Sequence, residues 1–124
     1  MHDTFEGEVE TRWLTKRNGD RDMELLSEFV YIDRFGWRWI APAGARINGA
    51  SIPRFFWRIA GSPYCGDYRR ASVIHDVACS DRSRPAPVVH LMFFEAMLAD
   101  GTAWWRAWLM FTAVKIFGPK WRRS

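Results

Sequence analysis

Cysteine is scarce in this sequence: the 124 residues include two, Cys65 and Cys79. Two cysteines cannot supply the four ligands of a zinc ribbon or the several bridges of a disulfide scaffold. A single disulfide between them stays open, as does a role as small buried apolar residues. Nine glycines and six prolines, without a repeat, exclude a collagen-like or low-complexity chain.

The sequence also lacks a long uninterrupted apolar run. Its most apolar stretch, residues 103–117, is broken by Arg106 and Lys115, whereas a membrane-spanning helix needs about 20 predominantly apolar residues. The first residues are polar and acidic residues soon follow, so no secretory signal peptide is predicted. We therefore expect no transmembrane helix, and either a cytoplasmic protein or one assembled into a particle made in the cytoplasm.

The charge of the chain is unevenly distributed between its two parts. The formal net charge of +4 divides into −2 for residues 1–50 and +6 for residues 51–124. A basic half attracts anions, but a solvated surface with ordinary solubility charges explains the same pattern. Fifteen of the eighteen basic residues are arginine, which suits ion pairs and aromatic stacking as readily as nucleic acid. We do not expect nucleic acid as a partner.

The first part of the chain has the period of β-strands. Phe5, Val9 and Trp13 share one parity, and charged residues occupy much of the other. An Asn-Gly turn signal precedes a second extended run at 23–32, and a third strand follows at 37–40. The pattern predicts an antiparallel meander of three strands within residues 1–47, with a short fourth strand at 45–47 left open.

From residue 51 onward the period becomes helical. Glycine and proline divide this part into four short predicted helices, at 52–60, 68–81, 88–99 and 102–117. No internal repeat and no long linker separates two units. We expect one α+β domain over residues 1–124, with a β-rich part at 1–47, a helical part at 51–118 and a basic tail at 119–124.

Two histidines are the first candidates for chemistry. His75 precedes Asp76 and shares a helix face with Cys79, and His90 lies on the next predicted helix. A short loop joins the two helices, so pairing brings His90 opposite His75. Two inward-facing imidazoles beside a carboxylate can transfer protons or hold a divalent metal ion. Hydrogen-bonded core histidines are the structural alternative, because no strong metal-binding spacing is present.

A second candidate segment lies at the junction between the sheet and the helices. Asn48 and Ser51 place polar oxygens beside Gly49, and such junctions often line binding sites. A turn followed by a helix N-cap at Ser51 explains the same residues without a ligand.

The C-terminal predicted helix is rich in tryptophan, and its apolar residues nearly surround its axis. This predicts burial on several sides, in the core or against a protein partner or second copy. Attachment to a membrane surface stays open, since tryptophan and arginine suit that interface.

Four motifs together resemble one known family. They are the Asn48–Arg54 segment, Trp57, the Ile-His-Asp sequence at 74–76, and the Phe93–Met97 segment. The chain resembles, from about Phe5 to Trp121, the domain-of-unknown-function family numbered 1353, small proteins of tailed phages and prophages. Members commonly carry aspartate at the position of Asn48, many carry an aromatic residue at Cys79, and many an acidic residue near His90.

The resemblance implies a phage or prophage origin, in the host cytoplasm or the virion, but no activity. We therefore keep two functions open. One is a small hydrolase of an ester, amide or phosphodiester, with His75 as general base, Asp76 orienting it or binding a cation, His90 as partner, and Asn48 and Ser51 binding substrate. The other is a non-catalytic phage accessory or virion protein that binds a protein partner through its C-terminal helix.

Overall fold

Two small antiparallel sheets and three helices form the described part of the chain, which confirms the α+β class. The computed structural model describes residues 3–14, 22–47 and 69–121. The strands are β1 (Thr4–Glu6), β2 (Thr11–Leu14), β3 (Asp22–Leu25), β4 (Phe29–Ile32), β5 (Arg38–Ala41) and β6 (Arg46–Ile47). The helices are α1 (Arg69–Asp81), α2 (Ala86–Ala99) and α3 (Trp104–Phe117).

The strands do not form the single predicted meander. Their order is β1-β4-β5 in one sheet and β2-β3-β6 in the other, and every pairing is antiparallel. The two long extended runs of the sequence each break into two strands that join different sheets. At the first break Gly7 has a φ of +86°, and a Cβ there would lie 3.0 Å from the Glu28 carbonyl oxygen. The short strand expected near 45–47 is present as β6.

A buried, hydrogen-bonded carboxylate, that of Asp33, holds the turn between β4 and β5. Asp33 Oδ1 accepts hydrogen bonds from the backbone N–H groups of Phe35 (2.9 Å) and Trp37 (3.0 Å). Its other oxygen, Oδ2, accepts one from the indole Nε1–H of Trp39 at 3.1 Å. Because Asp33 is buried, these three donors offset the cost of removing its charge from water.

The helix boundaries agree closely with the predicted ones. The predictions 68–81, 88–99 and 102–117 correspond to α1, α2 and α3. The helix predicted at 52–60 lies outside the described residues, so the described part contains three helices where the sequence predicts four for the whole chain.

The turn after α2 contributes to the start of α1. Asp100 Oδ2 accepts a hydrogen bond from the backbone N–H of Arg70 (3.0 Å), and Asp100 Oδ1 accepts one from Arg70 Nε (2.6 Å). A carboxylate at this position satisfies a free N–H group of the first helical turn and complements the positive end of the helix dipole. This contact connects the far end of α2 to the beginning of α1.

The elements pack in sequence from the sheets outward. The helix α1 lies against β4, β5 and β6, α2 packs on α1, and α3 packs on α2. The core runs through all of these layers, from Phe29 and Tyr31 in the sheet through Ile74 in α1 to Phe93 in α2 and Met110 in α3.

In the described chain the core buries only one side of α3, so of the predicted burial on several sides the part against a protein partner or second copy stays a prediction. Its buried residues are the smaller ones, Ala107, Met110, Ala113 and Val114. Its large residues Trp104, Trp105, Trp108, Ile116 and Phe117 are exposed. The outermost helix packs mainly on one neighbour, α2, so only one side of it meets the core. Within the described ranges, no helix combines the length and the apolar character needed to cross a bilayer.

Candidate functional site

A cluster of two histidines and a cysteine lies between α1 and α2. His75 and Cys79 are four residues apart on α1, so they lie one turn apart on the same face. His90 comes from α2, the helix packed directly on α1. All three side chains are buried. Helix spacing therefore places two of the groups and helix packing adds the third.

The polar atoms of this cluster are close together. His75 Nε2 lies 2.9 Å from His90 Nδ1 and 3.5 Å from Cys79 Sγ. One ligating atom from each of the three residues lies within 4.8 Å of the other two. The His75 ring also stacks on Phe93, with 4.2 Å between ring centroids, and this contact limits its rotation.

Hydrogen bonding determines which nitrogens carry protons. His90 Nε2 lies 2.9 Å from the Pro119 carbonyl oxygen, which can only accept, so His90 Nε2–H is the donor. In a neutral His90 the other nitrogen, Nδ1, then has a lone pair that accepts a hydrogen bond from His75 Nε2–H. His75 Nδ1 is left as a bare acceptor, buried and without a partner among the described residues. The series of hydrogen bonds that begins at the Pro119 carbonyl oxygen therefore ends at His75 Nδ1, which has no described partner.

Burial keeps the cluster uncharged near neutral pH. Desolvation lowers the pKa of His75 well below its ordinary value, and the neighbouring His90 lowers it further. Desolvation also lowers the pKa of His90, partly opposed by the bond to Pro119. The pKa of the Cys79 thiol is raised to about 12, mainly by burial and secondly by the charge of Asp76. Two neutral imidazoles therefore face a protonated thiol.

This donor set fits a tetrahedral transition-metal ion. Zinc bonds of about 2.0–2.1 Å to nitrogen and about 2.3 Å to sulfur place two nitrogen ligands about 3.3 Å apart and a nitrogen and a sulfur about 3.6 Å apart. The observed distance of 3.5 Å between Cys79 Sγ and His75 Nε2 agrees, and the two nitrogens at 2.9 Å have to separate slightly. Cys79 Sγ and the His90 nitrogen lie within 4.8 Å of each other and have to come to about 3.6 Å. His90 already has its lone pair at Nδ1, since Pro119 O accepts from the opposite nitrogen. A backbone carbonyl in that position is the common outer partner of a metal-binding histidine.

The structure brings some of the predicted site residues together. His75 and His90 are in direct contact, as predicted from the helix pair. Asp76 is buried on α1 near Cys79, but within the described chain its carboxylate is not part of the group of ligating atoms. Asn48 and Ser51 lie outside the described residues.

Sequence reasoning missed Cys79 as a site residue. In the sequence, the spacing of four residues between His75 and Cys79 indicates only that both side chains lie on the same buried face of a helix. Cys79 is a free thiol, and Cys65, its partner in the disulfide that the sequence left open, lies outside the described residues. Because Cys79 lies beside two imidazoles in the structure, its sulfur is a candidate metal ligand, which the sequence alone did not show.

His90 also contributes to the wall of a groove, which we call the His90 groove. It has a volume of about 690 Å³ and lies between α2, α3 and the segment that follows α3. Its lining includes Pro87, His90, Leu91, Phe111, Lys115 and Trp121. The groove therefore brings the surface close to one member of the buried cluster.

Comparison with known proteins identifies relatives but no activity. The model of the family described as protein of unknown function DUF1353 matches residues 23–114. The uncharacterised proteins y4jT and y4iH of Sinorhizobium fredii are 46% identical over 98 residues and 39% identical over 104 residues, covering 79% and 83% of this chain. The chain spans only 29% and 44% of the lengths of these relatives. No solved structure matches it. The expected phage origin and hydrolase activity stay predictions.

Proposed function

The chain belongs to the DUF1353 family of proteins of unknown function, and we propose from the geometry of its own residues that it is a metal-dependent hydrolase. The observation that carries this proposal is the convergence of His75 Nε2, Cys79 Sγ and His90 Nδ1 within 4.8 Å of one another. The metal would be a divalent transition-metal ion, of which zinc suits two imidazoles and a thiolate best.

Three protein ligands are the number that catalytic zinc sites use, since a fourth position is then open for water. A metal ion in such a site supplies a hydroxide-like nucleophile near neutral pH. His75 acts in this proposal as a ligand rather than as the free general base expected from the sequence, because its Nε2 faces His90 and Cys79 inside the protein. Asp76 contributes negative charge near the thiolate. The substrate bond, an ester, amide or phosphodiester, stays open.

Cobalt titration tests the metal site directly. Co²⁺ added to the metal-free protein should give the absorption bands of a tetrahedral site with one thiolate ligand, and Zn²⁺ should displace it. Cys79→Ser and His90→Gln should weaken binding at least about 100-fold, more than the loss of an outer-shell partner typically does. Cys65→Ser and His2→Gln alter the remaining cysteine and histidine of the chain and serve as matched controls.

Hydrolysis is then measured with chromogenic esters, amides and phosphodiesters. Turnover should require the metal and should disappear in Cys79→Ser and His90→Gln while both controls retain it. Unchanged cobalt spectra in the two site variants would contradict the metal site. Turnover that persists after the metal is removed would contradict the metal-dependent mechanism.

A second candidate function is binding to a protein partner or a second copy through α3. Trp104, Trp105 and Trp108 are 62%, 60% and 50% exposed, and the stacked rings of Trp104 and Trp108 have centroids 5.8 Å apart. Contiguous exposed aromatic surface of this kind typically marks an interaction site.

Light scattering over a range of protein concentrations tests self-association. The expected result is a dimer that dissociates in the double variant Trp104→Ser/Trp108→Ser and persists in Trp37→Ser, an equally exposed tryptophan in the β4–β5 turn. A monomer at all concentrations would remove self-association and leave the protein partner to be tested by co-purification.

A further inference from the structure

The His90 groove has a preformed wall. Trp121 Nε1–H donates a hydrogen bond to the Arg84 carbonyl oxygen at 2.8 Å. The guanidinium carbon of Arg82 lies 5.5 Å from the centroid of the Trp121 ring, and the Trp121 ring meets His90 edge to face, with centroids 6.0 Å apart. These contacts hold a residue after the last helix against the α1–α2 loop and α2, so the wall exists before a ligand arrives.

Most of the groove lining is apolar. Pro87 and Leu91 come from α2, Phe111 comes from α3, and Trp121 forms the opposite side. Leu91 is 49% exposed and lies on the outward side of α2, next to the buried His90 and Met92 in the sequence. An apolar groove of this volume is in the range that binds small molecules.

The charges of the groove are of one sign. Its charged lining residues are Lys115 and Lys120, and no acidic residue contributes to the lining. Both lysines are exposed, and within the described chain neither has a carboxylate at ion-pair distance. Lys115 Nζ lies 5.9 Å from the centroid of the Phe111 ring, which places a positive charge next to an apolar surface. An anion bound here would find two cations that no described carboxylate neutralises.

We propose that the His90 groove binds an apolar chain that carries a terminal anionic group. The chain contacts Leu91, Phe111 and Trp121, and the carboxylate or phosphate at its end lies between Lys115 and Lys120. This inference rests on the proposed function for one step, the identification of such amphipathic anions as the substrate or product class of the metal site. Binding itself requires neither metal nor turnover.

Calorimetry on the metal-free protein tests the groove with four ten-carbon probes below their micelle-forming concentrations. Decanoate and decyl phosphate should bind, and the one that binds with the higher affinity identifies the preferred anionic group. Decanol should bind about tenfold more weakly, the effect of losing one hydrogen bond to a charged group, and decyltrimethylammonium more weakly still.

The lysines are tested by charge removal. Lys115→Gln/Lys120→Gln should weaken decanoate binding at least about tenfold and leave decanol binding unchanged. Arg46→Gln removes one exposed positive charge from β6, outside the groove, and should change neither. Leu91→Glu, which puts a negative charge on the apolar wall, should abolish decanoate binding.

Three results would overturn the proposal: no binding of any probe, decanoate bound no more tightly than decyltrimethylammonium, or equal decanoate binding by the double glutamine variant. Failure here is distinct from failure of the proposed function. Decanoate binding without cobalt binding would contradict the proposed metal-dependent hydrolase and support the proposed ligand of the groove. Cobalt binding without decanoate binding would support the metal site and contradict the proposed ligand of the groove.

Discussion

Two buried polar sites in this protein differ in how completely their polar atoms are hydrogen-bonded. At the β4–β5 turn, Asp33 accepts three hydrogen bonds within 3.1 Å from two backbone N–H groups and one indole. Between α1 and α2, His75 is buried more completely, yet its Nδ1 has no partner within the described chain. Both sites place polar atoms in an apolar interior, which costs free energy because these atoms lose their hydrogen bonds to water. Only at Asp33 do hydrogen bonds within the protein replace them on every polar atom.

The difference separates a structural site from the candidate functional site. Both oxygens of Asp33 accept hydrogen bonds from the segment that follows it, so this carboxylate holds the β4–β5 turn. In the His75 cluster, His75 Nδ1 has no described partner, whereas the other nitrogen of the same ring, Nε2, lies with His90 Nδ1 and Cys79 Sγ within 4.8 Å. A metal ion held by those three atoms would replace the hydrogen bond between the two histidines and would leave the His75 proton on Nδ1. The unpaired Nδ1 is therefore a cost of this cluster that a metal ion does not remove.

Replacing Asp33 should have the largest effect on stability. Asp33→Ala leaves two backbone donors and the buried Trp39 indole without an acceptor, and the free energy of unfolding should fall by about 3 kcal/mol or more. Denaturant unfolding followed by tryptophan fluorescence measures this, with Glu8→Ala as a control at an exposed acidic position. Should the alanine variant not fold, Asp33→Asn retains one acceptor and should lose less. A loss equal to that of the control would contradict the structural role.

Replacing His75 should cost less than replacing Asp33, although His75 is the more buried residue. His75→Phe removes an unsatisfied nitrogen, which stabilises, and leaves His90 Nδ1 without a donor, which destabilises. The two effects oppose each other, so the free energy of unfolding in the presence of a chelator should change by less than about 1.5 kcal/mol. A loss as large as that of Asp33→Ala would show that the histidine cluster is itself a structural network.

The smallest predicted effect is the contribution of a single histidine to acid destabilisation of the metal-free protein. The pKa values of His75 and His90 are lowered by folding, so the unfolded chain binds protons first as pH falls. Stability from the neutral imidazoles is present above about pH 6.5 and is lost below it, by at most about 1.4 kcal/mol per pH unit for each histidine. The groups near His75 in this titration are His90, Cys79 and Asp76.

Unfolding measured between pH 7 and pH 5.5 checks this slope above most of the carboxylate range. His75→Phe should lower it by the share of one histidine, and His2→Gln should leave it unchanged. Equal slopes in the wild type and His75→Phe would show that His75 is not kept neutral by the fold.

The three described helices were predictable, and the sheet topology was not. Helical periodicity and the breaks at Gly101 and Pro85 are local signals, so the predicted ends of α1 to α3 lie within about two residues of the observed ones. The division of the strands between two sheets involves contacts between residues distant in the chain, such as the close approach of Gly7 to the Glu28 carbonyl oxygen. Alternation of side chains shows that a strand exists but not which strand it joins.

The candidate site was predictable in part for the same reason. His75 and His90 lie on two helices joined by a short loop, which makes their contact a geometric expectation. The ligand role proposed for Cys79 was not predicted, because a cysteine four positions after a buried histidine also suits the core as a small apolar residue.

Spacing along the chain determines the class of the fold, the helices, and the histidine and cysteine that share a face of α1, because each depends on neighbours within a few residues. Tertiary packing determines the remainder. It joins His90 to that pair, orients its proton through Pro119, leaves His75 Nδ1 without a described partner, and exposes the tryptophans of α3. These features arise where separate elements meet, and apart from two helices joined by a short loop, the sequence pattern does not indicate which surfaces face each other.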